Sequence, residues 1–241
     1  MPGPFSRSAR LLGPDAVERL RQRCVAVFGL GGVGSHACEA LARSGVGRLV
    51  IIDADSVDIT NLNRQSIALH STLGRAKTDV MRERLLDINP GIAVEAHRMF
   101  YGPDTDAVLS FSGWDAIVDA IDTVSSKLLL IERANREGVP IVSCMGTGNK
   151  KDPLRLTVGD IYETSGCPLA RVMRRELRKR GVAALRVVYS TEEPCVPFPD
   201  DEPPSPGRRQ TPGSLPFVPP AAGLIIAAEV VSALCGVPLR P

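Results

Sequence analysis

A glycine-rich turn near the start of the chain combines two features that bind phosphate groups in proteins. Gly29, Gly31 and Gly34 follow the apolar run CVAVF at residues 24–28 and lead into a stretch with helical spacing. Gly29 permits a tight turn, Gly31 lets the backbone approach phosphate oxygens, and Gly34 permits close contact between helix and strand. The helix N-terminus then offers free N–H groups and a positive dipole end to an anion. The turn therefore predicts a nucleotide-binding site.

An acidic residue and a polar segment follow this turn at the distance expected for the rest of a nucleotide site. Asp53 ends the apolar run RLVIID, where its carboxylate can accept hydrogen bonds from ribose hydroxyl groups. The next segment contains N-L-N-R-Q at residues 61–65 and then Lys77. Two fixed cations and several amides suit a triphosphate that is to be cleaved, whereas a dinucleotide needs only to be held. The segment therefore favours ATP over NAD, although either cation alone would be typical of a solvated surface.

Apolar runs alternate with helical patterns over the first 145 residues, and this alternation indicates the scaffold for the site. The predicted strands are CVAVF, LVIID, IAVEA, AIVDA and PIVSC, and the predicted helices are 34–44, 75–89 and 124–137. Nearly continuous apolar runs are typical of strands covered on both faces, as in a parallel sheet. The sequence therefore predicts an α/β fold with a Rossmann-like, doubly wound and mainly parallel sheet.

The pattern changes after Asn149. The sequence predicts a strand at LRLTVGD, a helix at PLARVMRRELRKRG, a strand at ALRVVYS and an apolar helix at AAGLIIAAEVVSALCG. Residues 191–220 contain ten of the 20 prolines and predict a mobile surface loop. We expect a single ATP-binding domain over residues 1–241. Its Rossmann-like core would span about 23–148, and an extension over about 149–241 would add antiparallel strands.

Composition excludes several classes of protein. The formal net charge of +2 is near neutral, so any affinity for nucleic acid must come from a local cluster. No apolar run reaches the roughly 20 residues that span a bilayer, the terminal apolar helix is judged too short, and no secretory signal is visible. We therefore expect a cytoplasmic protein. The six cysteines form no C-x-x-C pair, so neither a disulfide framework nor structural zinc is expected.

One basic run is dense enough to suggest a polyanionic partner. Six cations lie between Arg171 and Arg180. Arg171, Arg174, Arg175 and Arg178 share one helix face and could contact several phosphates together. The alternative for an isolated run of this kind is a solvated helix face.

Four motifs resemble those of the ubiquitin-activating-type (ThiF/MoeB/HesA-like) adenylyltransferases. They are G-L-G-G-V-G, D-A-D-x-V-x-x-x-N-L-N-R-Q, G-R-A-K and V-D-A-I-D-T. Members of this superfamily place ATP on a Rossmann-like sheet and transfer AMP to a carboxylate. By this resemblance Asp53 would hold the ribose, and Asn61, Arg64 and Lys77 would hold the phosphates. Asp122 would bind Mg²⁺.

The resemblance also implies a larger set of functional residues. The implied nucleotide site comprises Gly29, Gly31, Gly32, Gly34, Asp53, Asp55, Asn61, Arg64, Lys77 and Asp122. The implied catalytic residues are Arg7, Arg64, Lys77 and Asp122. Arg7 lies where members of the superfamily place an arginine donated to the ATP of the partner subunit, so a homodimer is expected.

Within the superfamily, the chain more closely resembles the tRNA threonylcarbamoyladenosine dehydratases. The further shared elements are F-S-R-S-A-R-L-L-G, M-G-T-G-N-K-K-D-P, V-V-Y-S-T-E-E-P and G-S-L-P-F-V-P-P-A-A-G-L. The segment CPLARVMRRELRKRG resembles the family pattern D-P-L-A-x-x-x-R-x-x-L, but Cys167 stands at its acidic position. The implied reaction adenylylates the threonine carboxylate of N6-threonylcarbamoyladenosine in tRNA and closes a ring, which favours tRNA as the partner of the basic run. The resemblance also makes a monovalent cation, K⁺ or Na⁺, a candidate cofactor and sulfur-relay proteins candidate partners. It assigns residues to neither.

Three other functions remain open from the sequence. A related adenylyltransferase would activate the C-terminal glycine of a ubiquitin-like sulfur carrier, but such enzymes carry paired cysteines that are missing here. A non-catalytic nucleotide-binding protein would not need the set of Asn61, Arg64, Lys77 and Asp122. An NAD oxidoreductase would need an acid or base near the nicotinamide, and none of the three histidines has such a setting.

Cys195, in the proline-rich segment, is the cysteine expected to be most exposed. The implied cyclisation needs no protein thiol, so no catalytic role is expected for it.

Overall fold

A seven-stranded sheet organises the residues that the computed structural model describes, which are 3–198 and 212–239. The strands are β1 (Cys24–Phe28), β2 (Arg48–Ile52), β3 (Ala93–His97), β4 (Ala116–Asp119), β5 (Ile141–Cys144), β6 (Leu156–Asp160) and β7 (Arg186–Ser190). The helices are α1 (Ser6–Leu12), α2 (Pro14–Arg21), α3 (Gly34–Arg43), α4 (Lys77–Ile88), α5 (Val124–Glu137), α6 (Pro168–Lys179) and α7 (Val218–Cys235). Residues 199–211 of the predicted proline-rich loop lie outside the described residues.

The strand order is β3-β2-β1-β4-β5-β7-β6. Every neighbouring pair is parallel except β6 and β7, which are antiparallel. The predicted α/β fold is therefore confirmed, including the antiparallel extension in the C-terminal half. The chain builds outward from β1 on one side and from β4 on the other, so the topology reverses between these two strands. In open α/β sheets, ligands bind in the crevice that such a reversal leaves at the carboxyl ends of the strands.

Two apolar cores cover the two faces of the sheet. Val25 and Val27 of β1 belong to one core, whereas Ala26 and Phe28 belong to the other. This division follows from the strand geometry, because successive side chains point to opposite faces. Helices α3, α4 and α7 contribute to the first core, and α5 and α6 contribute to the second. All of β1 is buried, which explains its continuously apolar sequence.

Helix α7 corrects one expectation from the sequence. It has 18 residues with a mean hydropathy of 1.8, so by length and composition it qualifies as a membrane-spanning helix, and the judgement that it is too short is wrong. In the structure it packs against α3 and the sheet instead. A Cβ atom at Gly223 would lie 2.3 Å from the carbonyl oxygen of Val33, so only glycine allows this close approach. Its apolar composition is that of a helix in the core.

Candidate active site

A cavity of about 500 Å³ lies at the carboxyl ends of the parallel strands. Its lining includes Phe28, Ile52, Ala120 and Cys144, which end or directly follow β1, β2, β4 and β5. The cavity brings together most of the expected nucleotide site: Gly29, Gly31, Gly32, Asp53, Asp55, Asn61, Arg64, Lys77 and Asp122. Among the described residues, Gly34, Arg7 and the four arginines predicted on α6 do not line it.

The four glycines of the turn differ in what a side chain at each position would contact. Gly29 has φ +88°, and a Cβ at Gly34 would lie 1.7 Å from the Gly29 carbonyl oxygen, so these two positions are fixed by the fold. A Cβ at Gly32 would press on Pro219 at 2.9 Å. At Gly31, by contrast, a Cβ would meet nothing within 4 Å. The protein itself does not require glycine at this position, which faces the cavity, whereas a phosphate close to the backbone would.

Asp53 links the second strand to the glycine turn. Its Oδ2 accepts a hydrogen bond from the Leu30 N–H at 2.6 Å, and its Oδ1 accepts one from the Asp55 N–H at 2.8 Å. Burial raises the pKa of Asp53, and the nearby charge of Lys77 opposes this shift. Both oxygens keep further lone pairs for ligand hydroxyl groups. The carboxylate is thus held with fixed orientation at the cavity wall.

Lys77 is a buried cation at the first turn of α4. Its side chain is 6% exposed, and its Nζ lies 2.8 Å from Oδ2 of Asp55, which is 69% exposed. The pair is reinforced by the backbone, because the Lys77 N–H donates to the Asp55 carbonyl oxygen at 3.0 Å. One ammonium proton is therefore used by Asp55, and two remain for other acceptors in the cavity.

Asn61 and Arg64 follow β2 in a turn that fixes their polar groups. Asn61 ends a short 3₁₀ helix, and its Oδ1 accepts from the Asp58 N–H at 3.2 Å. Its Nδ2 donates to Thr60 Oγ1 at 3.5 Å and carries a second N–H that can donate to a ligand. One terminal nitrogen of Arg64 donates to the Thr60 carbonyl oxygen and to Asn63 Oδ1, both at 2.9 Å. Its other guanidinium nitrogens make no hydrogen bond to residues 3–198 or 212–239. Both residues thus offer oriented donors, as anion binding requires.

Asp122 is an exposed carboxylate in the cavity wall, in the segment that follows β4. Its Oδ1 accepts from the Thr123 hydroxyl group at 3.3 Å. No group of three or more His, Cys, Asp or Glu residues within 3–198 and 212–239 is arranged to hold a metal ion. A metal at Asp122 would therefore need its other ligands from a bound nucleotide and water.

A buried ion pair behind this wall was not anticipated from the sequence. Lys127 and Asp119 are both fully buried, and Lys127 Nζ lies 2.9 Å from Asp119 Oδ2. The same ammonium donates to the carbonyl oxygens of Ile121 at 3.0 Å and Cys144 at 2.9 Å. Because Ile121 and Cys144 both line the cavity, Lys127 ties the ends of β4 and β5 together and fixes the segment that carries Asp122.

The arginines of α6 differ from one another in their contacts. Arg174 donates to the carbonyl oxygen and the hydroxyl group of Thr164, so its guanidinium is held against the protein. Arg175 pairs with Glu176 at 3.0 Å, and hydrogen bonds from Lys179, Arg180 and Arg175 lower the pKa of that carboxyl to about 2. The Arg178 guanidinium lies 5.1 Å from the centre of the Tyr162 ring. Arg171 and Arg178 are exposed.

Arg7 lies on the exposed surface of α1, in a helix without buried residues.

Five cysteines are buried: Cys24, Cys38, Cys144, Cys167 and Cys235. Burial raises the pKa of Cys24 to about 11 and that of Cys144 to about 12. Cys195 is only partly buried, and its thiol donates to the Asn149 carbonyl oxygen at 3.2 Å.

The glycine turn, the strand reversal and the cation-lined cavity together define a nucleotide-binding α/β protein. A family model described as the ThiF family matches residues 5–241. The chain therefore belongs to the ThiF family, as its motifs had indicated.

Within that family the chain is similar to tRNA threonylcarbamoyladenosine dehydratases over most of its length. The enzyme of that name from Bacillus subtilis (strain 168) is 43% identical over 94% of this chain and 92% of its own length. The corresponding Escherichia coli (strain K12) enzyme is 38% identical over 81% of this chain and 76% of its own. The crystal structure of the E. coli enzyme, TcdA, in complex with ATP matches with a TM-score of 0.86 and 34% identity, covering 96% of this chain and 93% of that one.

Proposed function

We propose that this chain is an ATP-dependent tRNA threonylcarbamoyladenosine dehydratase that closes a ring on the modified base. The observation that carries this proposal is the convergence of Asp53, Lys77 and Asp122 from separate segments in one cavity. The relatives support the substrate, since dehydratases of this name align with most of the chain, and one of them has been crystallised with ATP.

The first step transfers AMP to the threonine carboxylate of the modified nucleoside. A carboxylate oxygen attacks the α-phosphorus of ATP, and the bond between that phosphorus and the pyrophosphate oxygen breaks. Negative charge grows on the departing pyrophosphate, where Lys77 and Arg64 supply positive charge from fixed positions. Such preorganised charge acts most strongly in a cavity with little water. Asp53 orients the nucleotide through its ribose.

The second step needs no nucleophile from the protein. A neighbouring atom of the same modified nucleoside attacks the acyl-adenylate carbonyl, AMP leaves with one carboxylate oxygen, and a proton is released. The net change is loss of one water molecule, with ATP converted to AMP and pyrophosphate. Because both reacting groups belong to one nucleoside, the step is intramolecular, and such reactions reach effective molarities of roughly 10⁵–10⁸ M.

Asp122 is the proposed protein ligand for Mg²⁺. Its exposed carboxylate lines the cavity and fits this ion, which is commonly held by one or two carboxylates together with substrate phosphates and water. When bound, Mg²⁺ would neutralise phosphate charge. The Lys127 contacts position the segment that carries Asp122.

Two surfaces outside the cavity complete the proposal. The exposed Arg171 and Arg178 of α6 are proposed to contact tRNA phosphates, and Leu169 at the start of the same helix lines the cavity, so the helix leads from the site to the surface. Arg7 is proposed to enter the cavity of a partner subunit in a homodimer, since it is exposed and does not line the cavity of its own chain.

A direct test supplies the enzyme with ATP, Mg²⁺ and tRNA that carries threonylcarbamoyladenosine. We expect AMP and pyrophosphate in equal amounts and a modified nucleoside lighter by one water molecule, measured by mass spectrometry. The matched control is tRNA of the same sequence without the modification, which should give no pyrophosphate release above background. ATP–pyrophosphate exchange stimulated by a ubiquitin-like carrier protein, and not by modified tRNA, would contradict the proposal.

A further inference from the structure

A second cavity, a groove of about 490 Å³, lies between α5 and α6, and the proposed reaction does not use it. Its floor is apolar and consists of Val124, Leu128 and Leu129 of α5 together with Val172 of α6. Leu128 is buried, whereas Val172 remains 36% exposed. This α5–α6 groove therefore presents apolar surface on which a flat, uncharged group can lie.

The groove begins at the nucleotide cavity. Both helices start there, since Thr123, directly before α5, and Leu169, in the first turn of α6, line that cavity. Leu169 and Val172 are three residues apart and so share one face of α6. At 1.5 Å per residue, the lining continues for about 12 Å from Val172 to Arg180. A polymer that leaves the nucleotide cavity along this face would enter the groove.

The charged groups at the edge of the groove favour a polyanion. The Glu176 carboxylate pairs with Arg175, Lys179 and Arg180, each at 3.0 Å. Arg180 also pairs with Glu132 of α5 at 3.5 Å, so three cations face two carboxylates. The side chains of Arg175 and Lys179 are 69% and 62% exposed. An exposed guanidinium can contact a phosphate or stack on a base.

The proposed substrate supplies an occupant of this chemistry. Its reacting group is attached to a base, and enzymes that act on a base of a polynucleotide take it out of the stack. The bases on either side then lose a stacking neighbour and expose an apolar face. We propose that the α5–α6 groove binds a nucleotide adjacent to the modified one, with its base on Val172 and its phosphate at Arg175. This rests on the proposed reaction with tRNA, and it adds a base-binding site to the phosphate contacts of Arg171 and Arg178.

One substitution places a charge on the floor of the groove. Val172→Glu lies at a partly exposed helical position, so the fold should be retained. Its affinity for modified tRNA should fall roughly 10-fold or more, as expected when an apolar contact is lost, while its affinity for ATP stays constant. The matched control is Val108→Glu, at a valine that is 66% exposed and lines neither cavity. It changes the net charge equally and should bind tRNA as the parent does.

A neutral variant separates the base contact from the phosphate contacts. Val172→Gln should weaken tRNA binding by roughly 3- to 10-fold, because it replaces the apolar contact by a polar group. The slope of log K against log salt should keep its parental value, since no phosphate contact is removed. If Val172→Glu does not fold, this variant carries the test alone.

Modified tRNA with an abasic ribose on one side of the modified nucleoside identifies the bound nucleotide. The parent protein should lose affinity for one of the two abasic tRNAs. Val172→Glu should lose little more with that tRNA, because the base that contacts Val172 is already absent.

Three results would each overturn the assignment: parental affinity in the Val172 variants, equal losses in Val172→Glu and Val108→Glu, or parental binding of both abasic tRNAs. The proposed reaction is judged separately by its product. A parent protein that binds modified tRNA without cyclising it would contradict the reaction and leave the groove standing. A parent protein that cyclises the substrate, with Val172 variants that bind tRNA equally well, would contradict the groove alone.

Discussion

The ammonium group of Lys77 lies 2.8 Å from the Asp55 carboxylate, although Lys77 is buried and Asp55 is largely exposed. Asp55 therefore orients the lysine toward the cavity while remaining accessible to solvent itself. The ammonium group is therefore already in place before a ligand binds, and a phosphate group in the cavity would share it with Asp55.

Lys77→Ala should lower the rate of AMP transfer by on the order of 10²-fold or more, because the lost charge acts where negative charge develops. Asp55→Asn should lose far less, since the amide oxygen still accepts from the ammonium. Pyrophosphate exchange measures both. Lys151→Ala, at an exposed lysine outside the cavity, is the control. Near-normal exchange in Lys77→Ala would remove this residue from the phosphate site.

Asp122→Asn should raise the Mg²⁺ concentration needed for half-maximal activity while changing ATP affinity less. The amide keeps the size of the side chain but lacks the charge that attracts the metal. Titration of activity with Mg²⁺ at saturating ATP provides the comparison. Coincident curves for variant and parent would show that Asp122 does not hold the metal.

The contacts of α6 divide its arginines into two groups. Arg171→Ala combined with Arg178→Ala should weaken tRNA binding and reduce the slope of log K against log salt by about one for each lost phosphate contact. ATP affinity should stay constant. Arg174→Ala should instead lower Tm, because it leaves Thr164 without its guanidinium partner. An unchanged salt slope in the double variant would indicate that this face of α6 is merely solvated.

If Arg7 completes the site of a partner subunit, two inactive variants should restore each other. Arg7→Ala and Lys77→Ala homodimers should both be impaired, whereas a mixed dimer has one cavity with both native residues. When the two variants are mixed, partly unfolded and refolded together, each mixed dimer should therefore recover up to about half of the parental activity. Without any recovery, Arg7 would have to act within its own chain or not at all. Arg10→Ala, on the same exposed helix, is the matched control.

Cys195→Ser should retain most of the ATP- and tRNA-dependent cyclisation. The attacking atom is already part of the substrate, so a thioester would add a step without shortening the route. Serine also keeps a donor for the Asn149 carbonyl oxygen, which the thiol contacts. Mass spectrometry of the cyclised product compares the variant with the parent. A covalent adduct trapped on Cys195, or AMP transfer without ring closure in the variant, would favour a thiol relay.

The sequence predicted the central strands β1 and β4 well because they are buried along their whole length and therefore apolar without interruption. It did not predict α1, because that helix has no buried residue and so shows no periodic apolar face. Helix α2 was also missed, although Pro14 at its first turn is a recognised start signal. The position of α7 was predicted within a few residues, but the judgement that it is too short to span a membrane was wrong.

Side-chain pairs across elements were harder to predict than the elements themselves. The glycine spacing and the N-L-N-R-Q segment indicated which residues share the cavity, since both adjoin carboxyl ends of strands. The pair of Lys127 and Asp119 was missed, because only the packing of α5 on the sheet brings these buried charges together. Likewise, four arginines on one helix face gave no sign that Arg174 turns inward to Thr164.

The contact between α7 and the glycine turn has a consequence for the order of events during synthesis. Gly223 lies against Val33, and Pro219 lies against Gly32, so the last helix supports the turn from behind. The turn is synthesised before strands β2 to β7, whereas the helix that supports it is synthesised after all of them. A nascent chain released before α7 would carry every residue of the glycine turn and still lack the wall that holds it. We therefore expect a chain truncated before α7 to lack a glycine turn of native shape, although it carries all four glycines.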